Sequence, residues 1–160
     1  MKLFSHLLKT GLVMAILLSA TSCKTKVHPT QPEKNGEVVL LFKRTACYGT
    51  CPTYDIAIYQ NGLLTYHGIR FTEKEGKWFT TISKAEISDL KDRFMDANFQ
   101  NFEESYPPKG EAPTDLPSCI ITYGDKTVKT KWGKIPDKLT ALQLHIDSLC
   151  NSKKLQFYDK

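Results

Sequence analysis

Acidic residues are missing from the start of the chain: no Asp or Glu occurs before Glu33, while Lys2 and Lys9 flank a growing apolar run. Also absent is any apolar stretch long enough to cross a bilayer. The uncharged segment Thr10 to Ser22 has 13 residues, whereas a spanning helix needs about 20. The sequence has no G-x-S-x-G elbow, no H-E-x-x-H pair and no glycine-rich phosphate loop. Those absences remove the serine-hydrolase, zinc-protease and nucleotide-binding readings. No internal repeat or low-complexity tract occurs. A formal charge of +5, spread among 17 acids, is not the footprint of a nucleic-acid binder.

The N-terminus has the layout of a signal peptide over residues 1–22. A basic start leads into Leu12 to Leu18, and the small residues Ser19-Ala20-Thr21-Ser22 precede Cys23. Ala20-Thr21-Ser22-Cys23 resembles a lipobox, with Ala20 where Leu is usual. The resemblance implies acylation of Cys23, and several buried acyl chains hold firmly at ~0.8 kcal/mol per methylene. Residues 23–36, polar and proline-containing, then read as the lipidated cysteine and its tether. Loss of residues 1–22 lowers the formal charge from +5 to +3. Lys24 is not a retention aspartate, and Lys24-Thr25-Lys26 is not an acidic surface-export run. The expected address is the outer membrane, on its periplasmic face.

What remains suits one domain over residues 37–152, with a C-terminal tail at 153–160. Glu37 to Arg44 is apolar on both faces, as in a strand inside a sheet. Tyr54 to Tyr59 and Leu63 to Gly68 flank Asn61-Gly62, which predicts a type I′ hairpin. On that register Tyr54, Ile56, Ile58 and Leu63 share one face. Ala57, Tyr59, Leu64 and Tyr66 share the other, and the face not covered by helices would show a tyrosine patch. The long loop with Tyr106-Pro107-Pro108 is the competing cover for that face. Lys77 to Ile82 reads as a fourth strand. Ser83 and Glu86 form a capping box, opening a helix with Ile87, Leu90, Phe94 and Ala97 on one stripe.

Gln100 to Pro117, with four prolines, is a long aperiodic connection of the kind that is often functional. A second hairpin, Ser118 to Tyr123 and Lys126 to Trp132, turns at Gly124-Asp125, a Gly-first pair suited to type II′. A last helix after Pro136 carries Leu139, Leu142, Ile146 and Leu149. The fold class is therefore α+β: a single antiparallel sheet of about six strands, ordered β-β-β-β-α-β-β-α along the chain, with two helices packed on one face.

The most distinctive stretch is Arg44-Thr45-Ala46-Cys47-Tyr48-Gly49-Thr50-Cys51-Pro52-Thr53-Tyr54. It is followed by Ile58-Tyr59-Gln60-Asn61-Gly62-Leu63-Leu64-Thr65-Tyr66 and later by Thr114-Asp115-Leu116-Pro117. In these segments the chain resembles a family of uncharacterised Bacteroidota envelope lipoproteins. That family carries R-x-x-C-[FY]-G-x-C-P-x-Y, I-Y-x-x-G-x-x-x-Y and T-D-x-P in the same order. The resemblance runs from about Val38 to Trp132 and implies no activity.

Several chemistries are open to the cysteines. Cys47 and Cys51 suit a small structural disulfide ring, worth ~2 kcal/mol by loop entropy. C-x-x-x-C-P is also similar to the copper motif of the Sco assembly proteins, which would bring His145 as a third ligand. In those thioredoxin-like proteins a helix follows the motif and lowers the thiol pKa, whereas here a hairpin follows. Zinc, with Cys119 or His67, lacks a recognised spacing. Cys119 and Cys150 both face the core, as a second disulfide or as two apolar thiols.

Asp115, Asp55, Glu103, Glu104 and His67 are the polar candidates for hydrolytic chemistry, yet none belongs to a complete catalytic set. Asp115 fits a turn better. The reading is thus a non-enzymatic binding or assembly module that uses no cofactor. Arg44, Tyr48, Tyr54, Tyr59, Tyr66 and Asp115 are its candidate contact residues. Its partners are the membrane, through lipid, and an envelope protein or small ligand. The alternative is a copper-handling or thiol-redox protein built on Cys47 and Cys51.

Overall fold

The computed structural model describes residues 32–108, 113 and 115–158. The expected signal peptide, Cys23 and most of the tether lie outside the described residues, as does Thr114. Among the described residues no helix is long and apolar enough to cross a membrane.

Four strands come first: β1 (Val38–Arg44), β2 (Thr53–Tyr59), β3 (Leu63–Arg70) and β4 (Gly76–Thr81). Helix α1 (Lys84–Asp96) and a 3₁₀ turn (Phe99–Asn101) lead to β5 (Ser105–Tyr106). Next come β6 (Cys119–Tyr123), β7 (Lys126–Thr130), α2 (Asp137–Asn151) and β8 (Gln156–Phe157). The sheet has eight strands in the order β5-β7-β6-β1-β2-β3-β4-β8. Six were expected. The two additional strands, β5 and β8, are two residues long, too short for any alternation to show. They lie at the two edges, and β5 pairs with β7 in parallel, so the sheet is not wholly antiparallel. β8 comes from the segment expected to be a tail and pairs with β4.

The register sets the two faces. Leu40 lies opposite Ile58 and Phe42 opposite Ile56 across β1–β2, while Phe42 faces Ile121 across β1–β6. These side chains are buried in one cluster with Ile87, Leu90 and Phe94 of α1 and Leu139, Leu142 and Ile146 of α2. The predicted helix stripes are therefore what the sheet buries. At the entry to α1 the Ser83 side chain accepts from the Glu86 amide and the Glu86 carboxylate accepts from the Ser83 amide, completing the expected capping box.

The first hairpin corrects one expectation. Only Gly62 of the Asn61-Gly62 pair has a positive φ, at +89°, and its amide donates to the Tyr59 carbonyl at 2.9 Å. This is a type I turn closed by a glycine bulge rather than a type I′ turn. The extra residue shifts the register by one, placing Leu64 opposite Ile58 and Tyr66 opposite Ile56. Leu64 and Tyr66 thus join Tyr54 on the helix side, and Leu63 goes to the other face. The expected tyrosine patch is therefore split. Tyr59 is on the outer face and buried, as are Val39, Leu63 and Tyr158, and the Phe79 ring packs edge-on against Tyr158. The Tyr106 end of the long connection packs elsewhere: Tyr106 lies against the main core, with β5 along the β7 edge. In the second hairpin Gly124 alone takes a positive φ, as a Gly-first turn requires.

Candidate functional site

Arg44 ends β1, Tyr54 is the second residue of β2, and the antiparallel register sets them side by side. Both point to the helix side. Asp147 of α2 reaches down between them: Arg44 Nη2 donates to its Oδ2 at 2.6 Å and Tyr54 Oη donates to its Oδ1 at 2.6 Å. The first and last residues of the R-x-x-C-Y-G-x-C-P-x-Y segment therefore close on one carboxylate. This polar latch ties α2 to the middle of the sheet. Four residues earlier on α2, the Gln143 amide donates to Thr130 Oγ1 at 2.9 Å, a second tie from the same helix to β7.

The protonation states follow from burial. Burial alone would lower the Arg44 pKa, but the hydrogen bond to Asp147 and the coulombic pull of Cys119, Asp147 and Tyr54 together outweigh it and hold the guanidinium charged. The Tyr54 phenol is pushed up by burial and again by its bond to Asp147, so it stays a donor. Both donors keep their protons through neutral pH, unlike an acid–base catalyst, whose pKa lies near the working pH. The neighbouring thiol of Cys119 is pushed up to about 12 by burial, only partly offset by Arg44. Burial likewise raises Cys150 to about 11. Cys119 and Cys150 are separate free thiols, buried and protonated, with none of the thiolate character a nucleophile needs.

Between the latch residues the chain runs through the cysteine loop. Cys47 and Cys51 are joined in a disulfide with their Cα atoms 5.7 Å apart. The ring does not hang free. The Thr45 amide donates to the Ser118 carbonyl at 2.9 Å, and the Tyr48 amide donates to the Asp115 carbonyl at 3.0 Å. The Ser118 amide returns a bond to Thr45 Oγ1 at 2.8 Å. Two motifs far apart in sequence thus dock on each other, and Asp115 takes part through its backbone carbonyl. From this braced ring Tyr48 projects, 95% exposed.

Two clefts flank the latch and share Pro52, Tyr54 and Asp147 as their dividing wall. The first, of about 430 Å³, is lined by Arg44, Cys51, Pro117, Cys119, Lys131 and Gln143, among others. The cysteine ring forms part of its rim. The second, of about 350 Å³, lies between the β3–β4 connection and the end of α2, with Tyr66, Phe71, Lys74 and Leu155 in its lining. The Tyr66 ring is 5.4 Å from that of Tyr54.

Arg44, Tyr54 and Tyr66 therefore come together at the latch, Tyr48 and Asp115 meet on the cysteine loop, and Tyr59 lies on the outer face. The metal alternatives lose their geometry. As a disulfide, Cys47 and Cys51 offer no thiolate to copper, and His145 lies beside α1, with Nε2 3.5 Å from Asp89. The same disulfide removes the two thiolates that a zinc site completed by Cys119 or His67 would need; Cys119 is on the helix side, and His67 is opposite Asp55 on the outer face. Among the described residues no three His, Cys, Asp or Glu side chains group to hold a metal. Sequence reasoning missed Asp147. Its signal was a polar residue one turn after Gln143, set directly beside the apolar stripe of Ile146 and Leu149.

Residues 38–150 match the family described as a domain of unknown function, DUF6438. The chain belongs to that family. The matched span of the DUF6438 domain starts at the first residue of β1 and ends within α2, so it contains the latch, the cysteine ring and both motif segments. A comparison with curated proteins finds no match.

Proposed function

We propose that this DUF6438 protein is a non-enzymatic binding module, held in the bacterial envelope by lipid on Cys23. It would act at the periplasmic face of the outer membrane and engage a partner protein there through the cysteine-ring rim of the first cleft. The observation that carries the reading is Tyr48: an aromatic side chain left 95% exposed on a ring fixed by a disulfide and two backbone hydrogen bonds. A backbone already fixed in this way has little order left to gain on binding, which is what preorganisation contributes to affinity. Tyrosine is also among the residue types enriched in binding hot spots. The non-enzymatic part rests on donors and thiols that keep their protons at neutral pH. The anchor rests on the basic start, the short apolar run and the small residues before Cys23.

Replacing Cys23 by Ser tests the address. Metabolic labelling with a fatty acid should mark the wild-type chain and leave Cys23→Ser unmarked, with the variant uncleaved or released from the membrane fraction. Equal labelling of both would refute the anchor. Photocrosslinking from position 48 tests the binding surface.

A further inference from the structure

We propose that the second cleft is a binding site for a neutral saccharide. Its walls are aromatic and its edge is polar. Tyr54, Tyr66 and Phe71 line it together with Glu73, Lys74 and Asn151. A sugar ring presents apolar C–H faces to aromatic side chains, while each hydroxyl both donates and accepts. Such a ligand suits an edge that offers both acceptors and donors, and Glu73 and Lys74 stand on the β3–β4 side with Asn151 facing them from α2. The Glu73 carboxylate disfavours an anion. Lys74, and Arg70 with its guanidinium 4.4 Å from the Phe71 ring centre, disfavour a cation. The volume of about 350 Å³ is that of a small-molecule site.

Phe71 is the second observation. Its φ is +56°, a left-handed backbone that bulky residues rarely adopt. It is nonetheless 40% exposed, so burial of the ring does not account for the conformation. Such backbone strain persists where surrounding structure imposes it, and it clusters at ligand sites. Here the Thr72 hydroxyl donates to the Lys74 carbonyl at 3.1 Å, and the turn folds tightly over Gly68. The connection is built to hold an aromatic ring at the cleft, where a relaxed residue would have sufficed for a turn.

The test is an NMR titration of the purified full chain with chitotriose, cellotriose and maltotriose. Each is used at up to roughly 10 mM, where a ligand of millimolar affinity is mostly bound. Expected are saturable shifts for at least one sugar, confined to residues 54, 66, 70–74, 147–151 and 155. Phe71→Asn keeps a residue type that tolerates the left-handed backbone and should weaken that binding at least tenfold. Phe71→Tyr keeps the ring and should retain it. Absence of shifts with all three sugars overturns the proposal, as does binding that both variants leave unchanged. Should Phe71→Asn fail to fold, Asn151→Ala on the opposite wall replaces it and must weaken binding at least threefold; unchanged binding there counts equally against the site.

Discussion

Asp147→Ala should destabilise the domain by about 3 kcal/mol, the lower end of the range for removing one partner of a buried charge pair. The low end applies because the Arg44 side chain remains 32% exposed and Asp147 21%. The loss does not measure the worth of the ion pair. It is mainly the cost of leaving a half-buried guanidinium and a phenol without their shared acceptor. Asp147→Asn keeps one acceptor and should cost less, while Tyr54→Phe removes a single hydrogen bond for about 1 kcal/mol. Urea unfolding with an unchanged m-value is the readout. An Asp147→Ala variant within about 0.5 kcal/mol of wild type, the scale of an ordinary surface change, would show that the latch does not hold α2 to the sheet.

A second large effect is expected at Gly68. A Cβ there would lie 1.9 Å from the Lys74 carbonyl oxygen and 2.6 Å from Thr72 Oγ1. The nearer atom is backbone, so no rotamer change relieves the clash and the connection at 71–75 must move as a unit. Gly68→Ala should therefore cost about 3 kcal/mol, at the upper end for overpacking, and lower the melting temperature by roughly 10 °C. The same displacement would pull Phe71 off the second cleft. A variant melting within about 2 °C of wild type would mean that the connection is pliable and that the Phe71 backbone is not imposed by it.

Much of the fold was legible because periodicity reports burial. The stripes on α1 and α2 and the apolar β1 were read from spacing alone; both stripes are buried, and β1 buries Val39, Leu40 and Phe42 while Val38 stays exposed. The capping box and the second hairpin were legible from local chemistry. Errors arose where one residue decides geometry. Asn61-Gly62 names two turns, and only the backbone angle of Asn61 distinguishes them. The difference moved Leu63, Leu64 and Tyr66 to opposite faces and divided the expected tyrosine patch. β5 and β8 are held by long-range pairing and leave no pattern in two residues.

The candidate site was partly visible. Cys47, Cys51, Tyr48 and the two ends of their motif were picked out by the spacing shared with the family the chain resembles, and so was Asp115. What joins them is tertiary. Asp147 lies more than 90 residues along the chain from Tyr54, and the docking of residues 115–118 onto 45–48 runs through backbone groups that any sequence possesses. Phe71 gave no signal, because its left-handed backbone is unrelated to its residue type.

The proposed binding surface centres on Tyr48. A photoreactive amino acid at position 48 of the full chain, irradiated in intact cells, should give a discrete protein adduct. The same group at Met95, an exposed position on α1, should not give it, and the adduct should weaken when Cys47 and Cys51 are both changed to Ser. Adducts of equal yield and pattern from positions 48 and 95, or none from either, would contradict a binding surface on the cysteine ring.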